Sequence, residues 1–384
     1  MTTLDVAIAG AGPAGAVAAL VLARAGATVQ LVDRAAFPRD KLCGDTLNPG
    51  AVRLLRRLGL ADRARAHSRP IDGMIVTGLY GITITGRYAQ DATAPEAWAL
   101  SRRDLDAALV DAAVDAGVQF DPQVTVRGPI VTDDAHGTRV RGLMVAGRHG
   151  KSLCVPATVT IAADGRRSAL AVSLRLAKAA RKPRRWVVGG YFENVGSLTA
   201  FGEMHVRRDH YIGVAPVPGG LANVCVVSNQ RALFARPAAL LTDRVADDPA
   251  LRERFSGARL VRPVVSLGPM GVDAMGAGVP GLLLAGDAAG FIDPITGDGV
   301  RFALRGGEMA GQAALEMLET GRLDGHERLA RRRASEFDGK FRFNRVVRGL
   351  VGSPLGVAAG SLSAAVLPAV LQRVIAYAGD ITTA

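Results

Sequence analysis

Hydrophobic and polar positions change rhythm repeatedly over the first 33 residues. Residues 4–9 are apolar except for Asp5, a short run that predicts a buried strand. Gly10-Ala11-Gly12-Pro13-Ala14-Gly15 interrupts it, and the small and aliphatic residues of 16–25 predict a helix that Gly26 ends. Residues 28–32 return to a strand and stop at Asp33. Farther on, 71–79, 82–88, 187–192, 202–206, 211–214 and 223–227 alternate or run apolar between Gly, Pro and Asp turns, as strands of an antiparallel sheet do. Residues 282–285 add one more apolar strand. The stretch 349–372 carries no charge and has the length of a membrane span, about 20 residues, but Pro354, Pro368, four glycines and three serines dilute it. A C-terminal helical segment is the expectation there. Together these elements predict an α/β fold.

Composition narrows the class. At 384 residues, 49% hydrophobic and 21% charged, the chain has enough apolar surface for a sizeable core, which excludes wholesale disorder. Cys43, Cys154 and Cys225 form no CxxC pair, and the six histidines show no ligand spacing, so no structural zinc, metal centre or disulfide framework is expected. A reducing cytoplasm fits that usage. No basic n-region precedes the first apolar run, which argues against a secretory signal.

The net charge of +12 comes from basic clusters. One runs Arg175, Lys178, Arg181, Lys182, Arg184, Arg185; another runs from Arg322 through Arg331-Arg332-Arg333 to Arg348. The first reading is a solvated surface, the second an attraction to anionic lipid headgroups, because Arg342, Arg345 and Arg348 directly precede the uncharged tail. Aromatics are sparse and no recognition motif accompanies the charge, so no nucleic-acid partner is expected.

The sharpest chemistry lies in the first turn. Gly10 permits a tight bend, Gly12 lets backbone approach a pyrophosphate, Pro13 suits the first helical turn, and Ala14 and Gly15 bring free N–H groups and close packing to the helix start. Asp33, followed by Arg34, arrives 23 residues after Gly10, where an acid can hold the ribose hydroxyls of an adenosine. Strand, turn, helix and distal acid together predict one bound dinucleotide, and no second glycine-rich nucleotide motif of this kind follows a strand elsewhere.

Ala285-Gly286-Asp287-Ala288-Ala289-Gly290 and Pro294-Ile295-Thr296-Gly297-Asp298-Gly299 extend the pattern. With them the chain resembles the FAD-dependent oxidoreductases of the aromatic hydroxylase-like superfamily, and within it the geranylgeranyl reductase-like branch. The resemblance implies that Asp287 reaches the ribityl hydroxyls, and that Gly286, Pro294, Gly297 and Gly299 bring backbone to the flavin ring. It further implies cofactor contacts for Arg102 at a helix start, for the backbone of Val124, and for Asp164 in Ala163-Asp164-Gly165. Arg39-Asp40-Lys41-Leu42-Cys43-Gly44-Asp45 resembles the branch's Lys-x-Cys-Gly loop, which makes Cys43 the candidate catalytic thiol. In the branch's prenyl reductases a Tyr-x-Trp-x-Phe-Pro strand lines the substrate cavity. Here Tyr211-Ile212-Gly213-Val214-Ala215-Pro216 keeps the Tyr and Pro and loses the aromatics between them, so Tyr211, Gly213 and Pro216 are the candidate substrate residues of a wider cavity. The absence of both tryptophans at this place argues against halogenation.

The fold implied is a discontinuous Rossmann-like FAD-binding domain (1–70, 100–170, 275–330), an antiparallel β-sheet substrate domain (71–99, 171–274) and a C-terminal helical segment (331–384). The first functional expectation is a monooxygenase acting on an apolar, aromatic or lipid-like substrate through a flavin hydroperoxide. The alternative is a reductase of isolated, prenyl-type carbon–carbon double bonds, and the third a flavoprotein that uses FAD as scaffold. NAD(P)H as a transient donor, or a separate flavin reductase, would supply electrons. His205 and His210 are expected as surface residues. A cytoplasmic protein, with peripheral membrane contact as the secondary reading, completes the expectation.

Overall fold

The computed structural model describes residues 4–42, 45–88, 96–134, 137–146, 152–179, 184–291, 293–351, 353, 355–359 and 368–380. The opening pattern folds as its periodicity dictates. Strand β1 (Leu4–Ala9) leads through the glycine turn into helix α1 (Pro13–Arg24), and β2 (Val29–Asp33) returns parallel to β1. Strand Ser152–Ala162 lies parallel on the other side of β1, followed by Leu282–Leu284, while Gln119–Pro122 pairs with the outer edge of β2. The central strands, β1, β2 and Leu282–Leu284, are largely buried, which is why they read as apolar runs, whereas the edge strand Gln119–Pro122 is mostly exposed. Strands Thr125–Asp134 and Gly137–Ala146 extend Ser152–Ala162 as an antiparallel wing.

One face of this sheet packs α1, helix Arg102–Asp115 and helix Gly299–Thr320 into the largest core cluster. A Cβ at Gly307 would come 2.2 Å from the Ala14 carbonyl oxygen, so the long helix and α1 touch backbone to backbone. Helix Gly325–Val351 then crosses behind it, and Leu329 and Phe337 enter the same core. The boundary expected at residue 331 therefore falls inside a helix.

A second sheet is mostly antiparallel. Strands Trp186–Glu193, Leu221–Ser228, His210–Val217 and Phe201–Val206 run side by side, and Gly73–Thr77 joins Phe201–Val206 in parallel before pairing with Thr83–Arg87. The expected strand at 71–79 thus splits, with Arg69–Ile71 diverted into a small sheet with Thr46–Leu47 and Ala97–Ala99. Helix Pro237–Asp247 covers one face of the second sheet through Ile212, Val214, Val224, Val226, Leu241 and Val245. The opposite face bounds a cavity.

Candidate active site

The glycine turn has the geometry a pyrophosphate needs. Gly10 has φ +97°, and a Cβ there would lie 2.4 Å from the Ala163 carbonyl oxygen; a Cβ at Gly15 would lie 1.8 Å from the Gly10 carbonyl oxygen. Only glycine fits either place. Gly12 is the N-cap of α1 and brings no side-chain cap, so the first amides of the helix, at Ala14 and Gly15, remain available to an anion. Pro13 starts the helix.

Around this turn the charged groups converge. Asp33 ends β2, where its Oδ2 accepts a hydrogen bond from the Ala11 amide at 2.8 Å and its Oδ1 one from the Ala35 amide at 2.9 Å. Its neighbour Arg34 is exposed. The Val124 amide donates to the Asp33 carbonyl at 2.9 Å, which places Val124 in the turn beside the β2 terminus rather than inside a strand. Arg102, buried at its helix start, donates from Nε and Nη2 to the two oxygens of Asp106, and Arg39 reaches the same carboxylate at 3.2 Å. Lys41 joins them: the Arg102 cation, followed by burial, pushes its ammonium below the usual lysine range. Arg39 and Arg102 share the Asp106 carboxylate with Lys41 nearby, a basic cluster that suits a diphosphate. Asp164 stands against Gly10, with Oδ2 capping the Ala169 amide at 2.8 Å and Oδ1 without a protein partner; burial raises its carboxyl.

The second motif forms two tight turns after strand Leu282–Leu284. Gly286 has φ +58° and Asp287 is half-buried on the 3₁₀ turn Gly286–Ala289. Pro294 starts the turn Pro294–Thr296, Gly297 adopts φ +68°, and Gly299 begins the long helix, whose N-cap Asp298 makes no side-chain cap. Thr296 Oγ1 and Asp298 Oδ2 are buried without a hydrogen-bond partner. Bare helix amides, a basic cluster and orphaned buried oxygens in the two motifs fit FAD. Cys43 lies outside the described residues.

Beside the Pro294–Gly299 turn opens a cavity of about 640 Å³. Its walls are mainly aliphatic and come from the second sheet, from the long helix and its preceding turn, and from the C-terminal helices. Tyr211 and Gly213 line it, and a Cβ on Gly213 would meet nothing within 4 Å. Gly213 keeps regular register with Met204 and Cys225. Pro216 is buried in the same strand but is not among the residues that line the cavity.

Tertiary contacts reassign several residues read as surface. Arg185 is buried and pairs with Asp293 at 3.0 Å, and the Tyr211 hydroxyl donates to the same carboxylate at 2.9 Å. Arg333 is also buried; it donates to the Ala289 carbonyl at 3.0 Å behind the Asp287 turn, and desolvation alone pulls it down to about 10. His205 is fully buried between Thr77 Oγ1 at 2.9 Å and Glu203 Oε2 at 3.0 Å, so it is no surface histidine. His210 is half-buried against Asp209. Two cavity carboxylates went unnoticed in the sequence. Asp45 accepts from the Tyr191 hydroxyl at 2.6 Å and from the Arg102 amide at 3.0 Å, and burial raises it to about 6. At Glu203 burial pushes upward too, but hydrogen bonds from Arg254 and His205 outweigh it and hold the group at about 2. The only signal for Asp45 was its place directly after Lys-x-Cys-Gly.

Among the described residues no group of side chains has metal-binding geometry, and no helix is long and apolar enough to cross a membrane. The FAD binding domain family model matches residues 3–334. A menaquinone reductase of Mycolicibacterium smegmatis is 31% identical over 81% of this chain and 76% of its own length. A digeranylgeranylglycerophospholipid reductase of Methanosarcina mazei is 29% identical over 83% of this chain and 76% of its own. In fold, a flavin-dependent brominase superposes with a TM-score of 0.83 at 22% identity, covering 98% of this chain and 94% of that one. A geranylgeranyl bacteriochlorophyll reductase-like protein of Thermoplasma acidophilum reaches 0.80 at 23% identity, covering 93% and 90%. The chain belongs to the FAD binding domain family and is an FAD-dependent oxidoreductase of the α/β Rossmann-like class.

Proposed function

We propose that the chain saturates carbon–carbon double bonds in a long, isoprenoid-type substrate. One observation carries the reading: the cavity against the Pro294–Gly299 turn is walled mainly by aliphatic side chains, among them Val76, Ile84, Val187, Met204, Val347 and Ile375. Such a wall stabilises a hydrocarbon chain by excluding water and offers few donors to a polar ring. The relatives named as reductases of menaquinone and of a digeranylgeranyl lipid support the same reading.

When reduced, FAD supplies a hydride. The chain's own residues would hold it: the α1 amides and the Arg39, Lys41 and Arg102 cluster at the pyrophosphate, Asp33 and Val124 at the adenosine, Asp287 at the ribityl chain and the Gly297–Gly299 backbone at the ring. Tyr211 is fixed by Asp293 and Arg185, and gives the cavity wall a rigid aromatic face. NAD(P)H or a separate reductase serves as the electron source in this proposal. Division of the chain at 1–70, 100–170 and 275–330 for the FAD domain, with 71–99 and 171–274 on the substrate side, remains part of it. Residues 325–351 then belong with the helix they pack against.

Monooxygenation is the second reading, favoured by the small residues Gly213 and Ala215, which leave room for a bulkier substrate. Anaerobic turnover of geranylgeraniol with dithionite-reduced holoenzyme separates the two. A product richer by two hydrogens supports reduction. Turnover that needs O2 and adds one oxygen atom overturns it, and turnover by as-isolated holoenzyme whose flavin stays oxidised throughout, with no reductant added, supports the scaffold role.

Peripheral contact with an anionic membrane belongs to the same proposal. Val346 and Leu350 line the cavity and are also exposed, so the cavity reaches the surface there, near Arg342 and Arg345. Co-sedimentation with phosphatidylglycerol vesicles at low salt is expected; equal recovery with and without vesicles retires the idea.

A further inference from the structure

We propose that Asp45, as a neutral acid, delivers the proton that completes reduction of the double bond; the assignment rests on the reductase reading. Saturating an isolated double bond requires a hydride at one carbon and a proton at the other. In a cavity this apolar, the proton source has to be an acid in the wall. Among the described lining residues only Asp45 and Glu203 are carboxylic acids.

Glu203 is unsuited. Arg254 grips both of its oxygens, at 2.7 Å and 2.8 Å, and His205 contacts Oε2, so the group is fixed as a carboxylate. The phenols are no better: Tyr211 spends its proton on Asp293, and burial raises Tyr88 far above the usual tyrosine range. Asp45 has neither a cation at hydrogen-bond distance nor solvent. Its two oxygens receive one neutral O–H and one amide N–H, enough to stabilise the carboxylate after proton loss without enforcing it beforehand.

Its place is right as well. Asp45 is close in sequence to Asn48, whose Nδ2 donates to Asp298 Oδ1 at 3.0 Å, and Asp298 belongs to the turn that fits the flavin ring. Tyr191 bonds Asp45 on one side, and the partly exposed Arg262 lies over its ring at 4.4 Å on the other.

The step balances. A hydride from reduced FAD forms a C–H bond at one alkene carbon while the Asp45 O–H bond breaks and its proton forms the second C–H bond. The π bond is lost, FAD is left oxidised and Asp45 ionised. Water returns the proton, and a two-electron donor of the nicotinamide class, or a reductase, returns the electrons.

The test compares wild type with Asp45→Asn, an isostere that keeps one acceptor for the Arg102 amide and offers a donor to Tyr191. Both proteins are loaded with FAD, checked by absorbance and circular dichroism, reduced with dithionite and given geranylgeraniol. The variant should retain FAD and its fold, and lose about 100- to 10,000-fold in the reductive rate, the range of a general acid. Independently of turnover, NMR of the resting wild-type protein with ¹³C-carboxyl aspartate should show a carboxyl titrating near 6 that Asp45→Asn lacks. A rate within about threefold of wild type, or a carboxyl at this position that titrates as an ordinary aspartate, overturns the assignment. If wild type itself forms no saturated product, the reductase reading falls.

Discussion

Two carboxylates line one cavity and are treated in opposite ways. Glu203 sits in the middle of the second sheet, satisfied by Arg254 and His205, while Asp45 sits on the loop that follows Lys-x-Cys-Gly, satisfied by a phenol and one amide. Burial disfavours charge at both. At Glu203 a bidentate cation more than offsets it; at Asp45 nothing charged is close enough to do so. A side chain locked as an anion can anchor a sheet, whereas one free to hold a proton near neutrality can do acid chemistry.

The largest effect expected from this contrast is catalytic. Asp45→Asn should remove about two to four powers of ten from anaerobic reduction while the melting curve stays close to wild type, in line with general-acid catalysis. Glu203→Leu should do the reverse. It leaves Arg254 and His205 without their carboxylate and should cost about 3 kcal/mol in urea unfolding, at the low end for a broken buried pair because Arg254 is partly open to solvent. Reduction rate per folded, FAD-loaded molecule should fall far less than in Asp45→Asn.

Acid titration of stability sharpens the same comparison. The folded chain keeps the Asp45 proton up to about 6, above the ordinary 3.8 of the unfolded chain. Stability should therefore fall as pH rises between those values, by an amount on the order of 3 kcal/mol at most, and Asp45→Asn should abolish that slope. Glu203 has the opposite sign: its contribution is complete above 4.5 and is lost as pH falls through about 2. Differential scanning across this range in wild type and both variants checks the signs. The smallest change is expected for Gly213→Trp. A Cβ there meets open space, so the fold should tolerate it, and the filled cavity should weaken turnover of a bulky substrate by about tenfold while sparing a thin prenyl chain. Equal turnover of both would place the substrate elsewhere.

The FAD-binding half was legible because its signals are local. Gly10, Gly15 and Pro13 act within one turn, and Asp33 follows at the end of the next strand, so spacing along the chain is spacing in the fold. Asp287 and the Pro294–Gly299 turn were legible for the same reason. Pro216 was carried over with Tyr211 as one motif, but only Tyr211 of the two lines the cavity. Arg185, Arg333 and His205 misled because a basic or polar residue looks solvated until its partners are known, and Asp293, Ala289 and Thr77 lie 108, 44 and 128 residues away from them, although the second partner of His205, Glu203, is a near neighbour.

What the sequence determined by itself is the cofactor: a glycine turn between a buried strand and a helix, with an acid beyond it, fits a dinucleotide wherever it is placed. Only the tertiary structure decided the charge states of the two cavity carboxyls. A carboxyl's charge state depends on the cations and water within a few ångströms, and for Asp45 and Glu203 those neighbours are set by which distant strands and loops close around the cavity.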